Sequence, residues 1–154
     1  MVVLALAALA LGLPPHGVVV PGHTFAGMKL GATKAQVRAA WGPRFGRCRN
    51  CNRTTWYFTY RDFQPQGAGV AFLDDRAVSF FTLWAPRGWR TKGGLTIGDP
   101  EVRITAVYGV LPRIECGTYA ALLLPRGAVD TQFYVYRRKL WGFGISRAGA
   151  PPCH

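Results

Sequence analysis

The sequence predicts an α+β fold of two tandem α-β-β-β repeats, in which short helices pack on one face of antiparallel sheet. Residues 27–42 recur at 94–109 without a gap, with glycines and apolar residues at matching positions. Three runs rich in aromatic and β-branched residues follow each copy, and such runs favour strands. Because one copy cannot bury its apolar face alone, we expect both copies to form one compact unit.

The start of the chain is predicted to be a signal peptide and N-terminal segment, residues 1–23. Its apolar run ends at Pro14 and Pro15 and is much shorter than the ~20 residues of a membrane span. A buried segment is the alternative, because no Lys or Arg precedes the run. The β-rich stretch from His16 ends at Pro21, which predicts an edge strand. We expect a secreted or cell-envelope protein without a transmembrane segment in the mature chain.

The repeats set the predicted domain organisation. Repeat 1 covers residues 24–84, a connector covers 85–93, and repeat 2 with a C-terminal tail covers 94–154. The two Trp residues in and beside the connector indicate that it packs against the rest of the chain.

Each repeat begins with a predicted helix. In repeat 1, Thr33 and Gln36 form a capping-box pattern, and the apolar spacing predicts a helix over residues 34–41. In repeat 2, Asp99 is the predicted N-cap and Pro100 the first helical residue. Helices of two turns are too short to be stable alone, so both are expected to lie on apolar surface.

The strands are expected to divide their side chains between two faces, because successive residues of a strand point in opposite directions. The predicted helix-covered set is Trp56, Phe58, Tyr60, Val70, Phe72, Val78, Phe80, Tyr119, Ala121, Leu123, Phe133, Val135, Trp141 and Phe143. The other face is expected to carry Tyr57, Phe81, Leu83, Tyr134 and Tyr136. An aromatic face is either covered by another segment or is a binding surface.

Four cysteines in an exported chain favour two disulfides, and the preferred pairs are Cys48–Cys51 and Cys116–Cys153. Other pairings stay open. The C-x-x-C pair is also typical of redox catalysts, and neighbouring arginines would favour a thiolate, but the pair follows a helix instead of beginning one. Four thiolates are also a ligand set for zinc, although the second pair lacks the tight spacing of a zinc ribbon.

The formal net charge is +12, and 15 of the 19 basic residues are Arg. This balance favours anionic partners. The basic residues form no basic helix and no recognised nucleic-acid motif. We therefore expect a protein partner or an anionic envelope polymer, and no nucleic acid.

Residues suited to hydrolytic chemistry are few. The histidines lie at positions 16, 23 and 154, outside the repeated helix and strand units, and the carboxylates have no partner at a telling spacing. We expect no catalytic residue, no cofactor and no metal site.

The motif of residues 27–43 has two glycines flanking alternating apolar residues, then Thr33, Val37 and a helix ending in Gly-Pro. It resembles the outer-membrane-assembly small lipoprotein family and the β-lactamase-inhibitory protein family, the latter itself a tandem duplication. The second copy matches in part, since Asp99 and Pro100 stand where the first copy has Ala32 and Thr33. The chain also lacks the lipobox Cys of the lipoprotein family. The resemblance implies an exported, non-enzymatic protein that works by contact, and it transfers no binding residue.

These observations favour a non-enzymatic binding or scaffold protein of the bacterial cell envelope. The alternatives are an enzyme inhibitor and a thiol-disulfide redox protein that uses the Cys48/Cys51 pair. Aromatic and Arg side chains dominate interface anchors. The expected contact surface is therefore Tyr57, Arg61, Tyr134, Tyr136 and Arg137.

Overall fold

The structure is a computed structural model that describes residues 12–59, 67–84 and 86–154. The helices are α1 (Lys34–Trp41) and α2 (Glu101–Tyr108). The strands are β1 (His16–Val20), β2 (Thr24–Phe25), β3 (Gly46–Arg47), β4 (Thr54–Thr59), β5 (Gly67–Leu73), β6 (Arg76–Leu83), β7 (Gly88–Thr91), β8 (Arg113–Glu115), β9 (Ala120–Arg126), β10 (Val129–Tyr136) and β11 (Lys139–Arg147).

The predicted fold class is wrong, because the protein is mostly β. Of the described residues, 48% are in strands and 12% in helices. The strands form an eight-stranded antiparallel sheet in the order β3-β4-β5-β6-β11-β10-β9-β8, together with a small sheet in the order β2-β1-β7. The two predicted three-stranded units are thus halves of one sheet, joined where β6 pairs with β11.

The predicted arrangement, in which only helices cover the sheet, is wrong because a second small sheet also covers it. Two helices of eight residues each cover only part of the large sheet. The small sheet contributes Val19, Phe25 and Trp89 to the same core, and all three are fully buried. The rings of Phe25 and Trp89 lie 5.4 Å apart in an edge-to-face arrangement, which is a favourable geometry for aromatic pairs.

The strand predicted to lie at a sheet edge lies in the middle of the small sheet. β1 pairs antiparallel with β2 and parallel with β7, so it has neighbours on both sides. β7 belongs to the predicted connector, and the Trp89 indole also donates a hydrogen bond to the carbonyl oxygen of Pro14 at 2.8 Å. Residues 16–20 therefore belong to the folded unit, while residues 1–11, and with them much of the predicted signal peptide, lie outside the described residues.

The helix prediction holds for α1 and is off by one residue for α2. The Thr33 side chain accepts from the Gln36 backbone N–H at 3.1 Å, and the Gln36 side chain accepts from the Thr33 N–H at 2.8 Å. At α2 the N-cap is Pro100, without a side-chain hydrogen bond. Asp99 instead accepts a hydrogen bond from the Thr96 N–H at 2.9 Å, which closes the turn before the helix.

Two features of the sheet change the predicted sides of individual residues. The run at 120–124 is apolar at every position, so alternation alone cannot set its phase. Pairing with β10 places Leu122 and Leu124 in the main core. Of the residues predicted there, Tyr119 and Ala121 belong to the cluster on the other face and Leu123 is only half-buried. The strand pairs β5–β6 and β10–β11 each contain a register shift. Because of these shifts, the residues directly after Ala77 and Leu140 point away from that core. Val78 and Trp141 therefore leave the predicted core set, while Tyr60 lies outside the described residues.

No helix among the described residues has the length and apolar character needed to cross a membrane.

Candidate functional site

The described chain contains two disulfides, Cys48–Cys51 and Cys116–Cys153, with sequence separations of 3 and 37. These are the two pairs that the sequence favoured. The first disulfide lies in the loop between β3 and β4, not at a helix N-terminus, so a helix dipole does not stabilise a thiolate there. Because all four cysteines are bonded, they offer no thiolates to a zinc ion.

The predicted contact residues are separated in the structure. Tyr134 is fully buried, whereas Tyr57 and Tyr136 are half-buried and Arg137 is exposed. Arg61 lies outside the described residues. Tyr57 and Tyr134 belong to one region of the open sheet face, and Tyr136 and Arg137 belong to another.

The end of the sequence covers Tyr134. The His154 ring stacks on Phe81 with 4.0 Å between centroids, and its Nε2 lies 2.8 Å from the Tyr134 hydroxyl. The Tyr119 hydroxyl accepts from the His154 backbone N–H at 2.7 Å and donates to its carbonyl at 3.1 Å. The Cys116–Cys153 disulfide holds this tail in place one residue earlier. The prediction of an aromatic face covered by another segment therefore applies to this part of the sheet.

Burial shifts the pKa of two side chains where the tail meets the sheet. Burial lowers the pKa of His154 from 6.5 to about 4, so the imidazole is neutral at pH 7. The whole residue remains exposed, but its ring is enclosed between Phe81 and Tyr134. Burial is the larger cause that raises the pKa of Tyr134 well above 10.0, and the nearby Tyr119 raises it further. Neither group carries a charge at neutral pH, which suits an apolar contact between tail and sheet.

Beside the tail lies a groove of about 520 Å³, which we call the disulfide groove. One wall is the Cys48–Cys51 loop and the other is the tail, so two disulfides that are distant in sequence border the same groove. Its lining residues are Asn50, Cys51, Asn52, Arg53, Thr55, Tyr57, Ala71, Val78, Ser79, Phe81, Ser146, Ala150, Pro151, Cys153 and His154.

The floor of the disulfide groove is a line of small side chains across four adjacent strands. Thr55, Ala71, Ser79 and Ser146 are register partners on β4, β5, β6 and β11. The Ser146 hydroxyl accepts a hydrogen bond from the buried Gln132 amide at 2.7 Å. The Thr55 hydroxyl donates to the carbonyl oxygen of Arg53 at 3.1 Å. Small residues at every position keep the floor flat. Sequence reasoning missed this line because it depends on strand register, which local patterns do not reveal.

A second hollow, which we call the hairpin pocket, lies at the β10–β11 turn and encloses about 310 Å³. Its lining residues are Trp84, Arg87, Gly98, Tyr136, Arg137, Lys139, Leu140 and Trp141. Three rings form its apolar wall: Trp84 lies 6.4 Å from Tyr136 and 6.1 Å from Trp141, and Tyr136 lies 5.8 Å from Trp141. Trp141 reaches this wall because of the bulge in β11.

The cations of the hairpin pocket rest on its rings. The Arg87 guanidinium lies 5.8 Å from the Trp84 ring centroid, and the Arg137 guanidinium lies 5.2 Å from that of Tyr136. No carboxylate is among the lining residues, and no described Asp or Glu forms a salt bridge with these two arginines. The pocket is therefore positively charged and has an apolar wall.

The described residues include no group of three or more His, Cys, Asp or Glu placed to hold a metal ion. Their side chains do not assemble a nucleophile, a base and an orienting group among the hydrogen bonds described above.

No protein-family model and no curated protein matches the sequence. Solved structures with a similar fold include three bacterial proteins. An extracellular protein with an SCP domain from Bacillus anthracis matches with a TM-score of 0.56 and 12% identity over 77% of this chain and 44% of that one. A DUF4309 family protein from Bacillus subtilis matches with a TM-score of 0.55 and 17% identity over 75% of this chain and 78% of that one. A cysteine-rich secretory protein from Staphylococcus aureus matches with a TM-score of 0.53 and 13% identity over 85% of this chain and 50% of that one.

At these identities the similarity shows the fold alone. The chain spans about half the length of the Bacillus anthracis and Staphylococcus aureus proteins. None of the three proteins is described as a member of the lipoprotein or inhibitor families that the glycine motif resembles, so that resemblance stays a prediction.

Proposed function

We propose that this chain is an exported, non-enzymatic binding protein of the cell envelope, and that its main contact site is the disulfide groove. Disulfides persist in oxidising compartments outside the cytosol, and this chain has two. Two of the similar structures are described as extracellular or secretory, which is in keeping with export.

The observation that carries the proposal is the placement of both disulfides on one groove. Crosslinked walls hold a binding surface in one conformation, which lowers the entropy lost when a partner binds. The groove wall supplies the half-buried ring of Tyr57 and the exposed side chains of Asn50, Asn52 and Arg53. This combination of a rigid frame, an aromatic anchor and exposed polar groups suits recognition by contact.

Export and crosslinking are tested first. The chain is expressed in a bacterium, and the mass of the extracytoplasmic protein is measured by mass spectrometry with and without reductant. We expect a mass below that of the full sequence and a gain of four hydrogens on reduction, from two disulfides. A protein that stays in the cytosol with its start intact would remove the basis for an envelope function.

The contact site is tested by photo-crosslinking. A photoreactive residue replaces Asn52 in the groove wall, and in a matched variant it replaces Val110, which is 90% exposed and lies away from the groove. With intact envelopes we expect discrete crosslinked products from position 52 and none from position 110. Equal products from both positions, or none from position 52, would argue against the groove.

The redox alternative has its own measurement. A thiol oxidoreductase that uses Cys48 and Cys51 would reduce insulin, and the activity would disappear in Cys48→Ser. We expect no activity above background in either protein. Reduction by the parent chain alone would replace the binding proposal with the redox one.

A further inference from the structure

Backbone strain concentrates at the hairpin pocket. Five non-glycine residues in the described part of the chain have positive φ, and three of them belong to this region: Trp84 at 62°, Arg137 at 48° and Arg138 at 61°. A two-residue hairpin with positive φ at both positions favours Asn and Gly, not Arg. Strain of this kind persists where the surrounding structure imposes it, and it clusters at ligand sites.

The strained residues place charge next to the aromatic wall. The left-handed conformation of Arg137 sets its guanidinium over Tyr136, and the unusual backbone of Trp84 sets its indole beneath Arg87. Stacking orders a guanidinium but leaves its N–H groups free to donate. An ordered guanidinium is prepared for bidentate bonds to a carboxylate or phosphate.

Nothing among the lining residues neutralises this charge. The pocket contains Arg87, Arg137 and Lys139 and no acidic side chain. Four of the described carboxylates are engaged elsewhere: Asp99 with Arg103, Glu101 and Glu115 with Arg113, and Asp130 with the Gly149 N–H. The pocket therefore complements an anion that comes from outside the chain.

The apolar wall limits what kind of anion fits. Trp84 meets Tyr136 at 71° and Trp141 at 84°, so the rings make an angled wall instead of a flat stack. A free inorganic ion would leave this wall without a contact. The volume of about 310 Å³ lies at the lower end of the range for small-molecule sites, so it suits one ring-sized unit.

We propose that the hairpin pocket binds an acidic sugar, in which a pyranose ring lies against Trp84, Tyr136 and Trp141 and its carboxylate or phosphate is held by Arg87 and Arg137. A sugar ring offers an apolar C–H face and a charge within one unit of this size. An Asp or Glu side chain offers the charge with at most two methylene groups.

The proposal is tested by calorimetry and tryptophan fluorescence with the purified disulfide-bonded chain. The probes are trigalacturonate for the carboxylate and glucose 6-phosphate for the phosphate, with maltotriose as the neutral sugar. Tetraglutamate and a short oligothymidylate represent acidic peptides and nucleic acid. We expect an acidic sugar to bind and to quench fluorescence, with an affinity that falls as salt rises.

Variants locate the binding. Arg137→Gln and Arg87→Gln should each raise the Kd by about tenfold or more, because each removes a charged donor. Arg147→Gln removes an exposed charge outside the pocket and should leave the Kd unchanged. All three side chains are exposed, and circular dichroism of each variant checks that the fold is kept.

Several results would overturn the proposal. These are no binding of either acidic sugar, equal binding of maltotriose, or binding of tetraglutamate or oligothymidylate as tight as that of the acidic sugars. An Arg147→Gln effect as large as that of Arg137→Gln would also overturn it, because the binding would then follow net charge alone. Preference for trigalacturonate or for glucose 6-phosphate identifies the anion and supports the proposal in either case.

Discussion

The two halves of the large sheet share a backbone frame and differ in what is attached to it. In the first half, the Gly31 N–H donates to Ala77 at 2.7 Å and the Ala77 N–H donates to Ala32 at 2.8 Å. In the second half, Gly98 donates to Leu140 at 2.8 Å and Leu140 donates to Asp99 at 2.7 Å. Gly31 and Ala32 match Gly98 and Asp99 in the repeated stretch, and each half has a bulge directly after Ala77 or Leu140.

The differences lie in the loops and the tail. The first half carries a disulfide of short span and a core Trp, whereas the second carries a disulfide of long span, a strained Arg-Arg turn and the tail. Both candidate sites combine strands of the sheet with such unshared parts: the disulfide groove adds the two disulfide segments, and the hairpin pocket adds the Arg-Arg turn. The shared frame therefore serves folding, and the unshared parts are where function is proposed.

The largest expected effect compares the residues that end the two helices, Trp41 and Tyr108. Trp41 is fully buried and contacts the rings of Phe58, Phe80 and Trp89. Trp41→Ala should lower the free energy of unfolding by roughly 3–5 kcal/mol. Tyr108→Ala should cost less, about 1–2 kcal/mol, because that ring is only half-buried.

Urea denaturation of the two variants measures this difference. Equal losses for Trp41→Ala and Tyr108→Ala would mean that the two halves contribute to the core equally, contrary to the burial described above.

The second comparison concerns the disulfides. Replacing Cys116 and Cys153 by Ser opens a span of 37 residues and should cost about 4 kcal/mol by loop-closure entropy. Replacing Cys48 and Cys51 opens a span of 3 and should cost about 1.5 kcal/mol. Thermal unfolding under non-reducing conditions checks the order, and a larger loss from the Cys48/Cys51 variant would reverse the assigned roles.

Thr33, the cysteine pairs and Trp141 show which features of the two halves can be predicted from the sequence. The capping box at Thr33 and both cysteine pairs follow from residues close in sequence or from simple pairing preference. Trp141 was assigned to the wrong face, because a single extra residue in β11 reverses the alternation. The hairpin pocket depends on that reversal, so the sequence pointed to Tyr136 and Arg137 without revealing the pocket that they form.

The smallest expected effect is the response of the tail to pH. The pKa of His154 is lowered to about 4 in the folded chain, whereas an unfolded chain takes up the proton near 6.5. The unfolded or released tail therefore binds more protons between these values. The stabilising contact of His154 with Phe81 and Tyr134 is complete above pH 6.5 and is lost as the pH falls towards 4.

A proton NMR titration of the imidazole measures this change, and the first half, which lacks such a tail, serves as the internal reference. We expect the His154 resonances to shift at about pH 4, together with those of Phe81. A midpoint near 6.5 would mean that the ring is not enclosed.

By itself, the sequence determined the repeated glycine motif, the capped helix at 34–41, the approximate strands and the preferred cysteine pairs. These depend on backbone conformation, capping and alternation, which act between residues near one another in the chain. Only the tertiary structure decided that β1 lies inside a second sheet, that Leu122 and Leu124 face the core, and that the tail covers Tyr134. Strand register and burial are set by contacts between distant residues, and no local pattern encodes them.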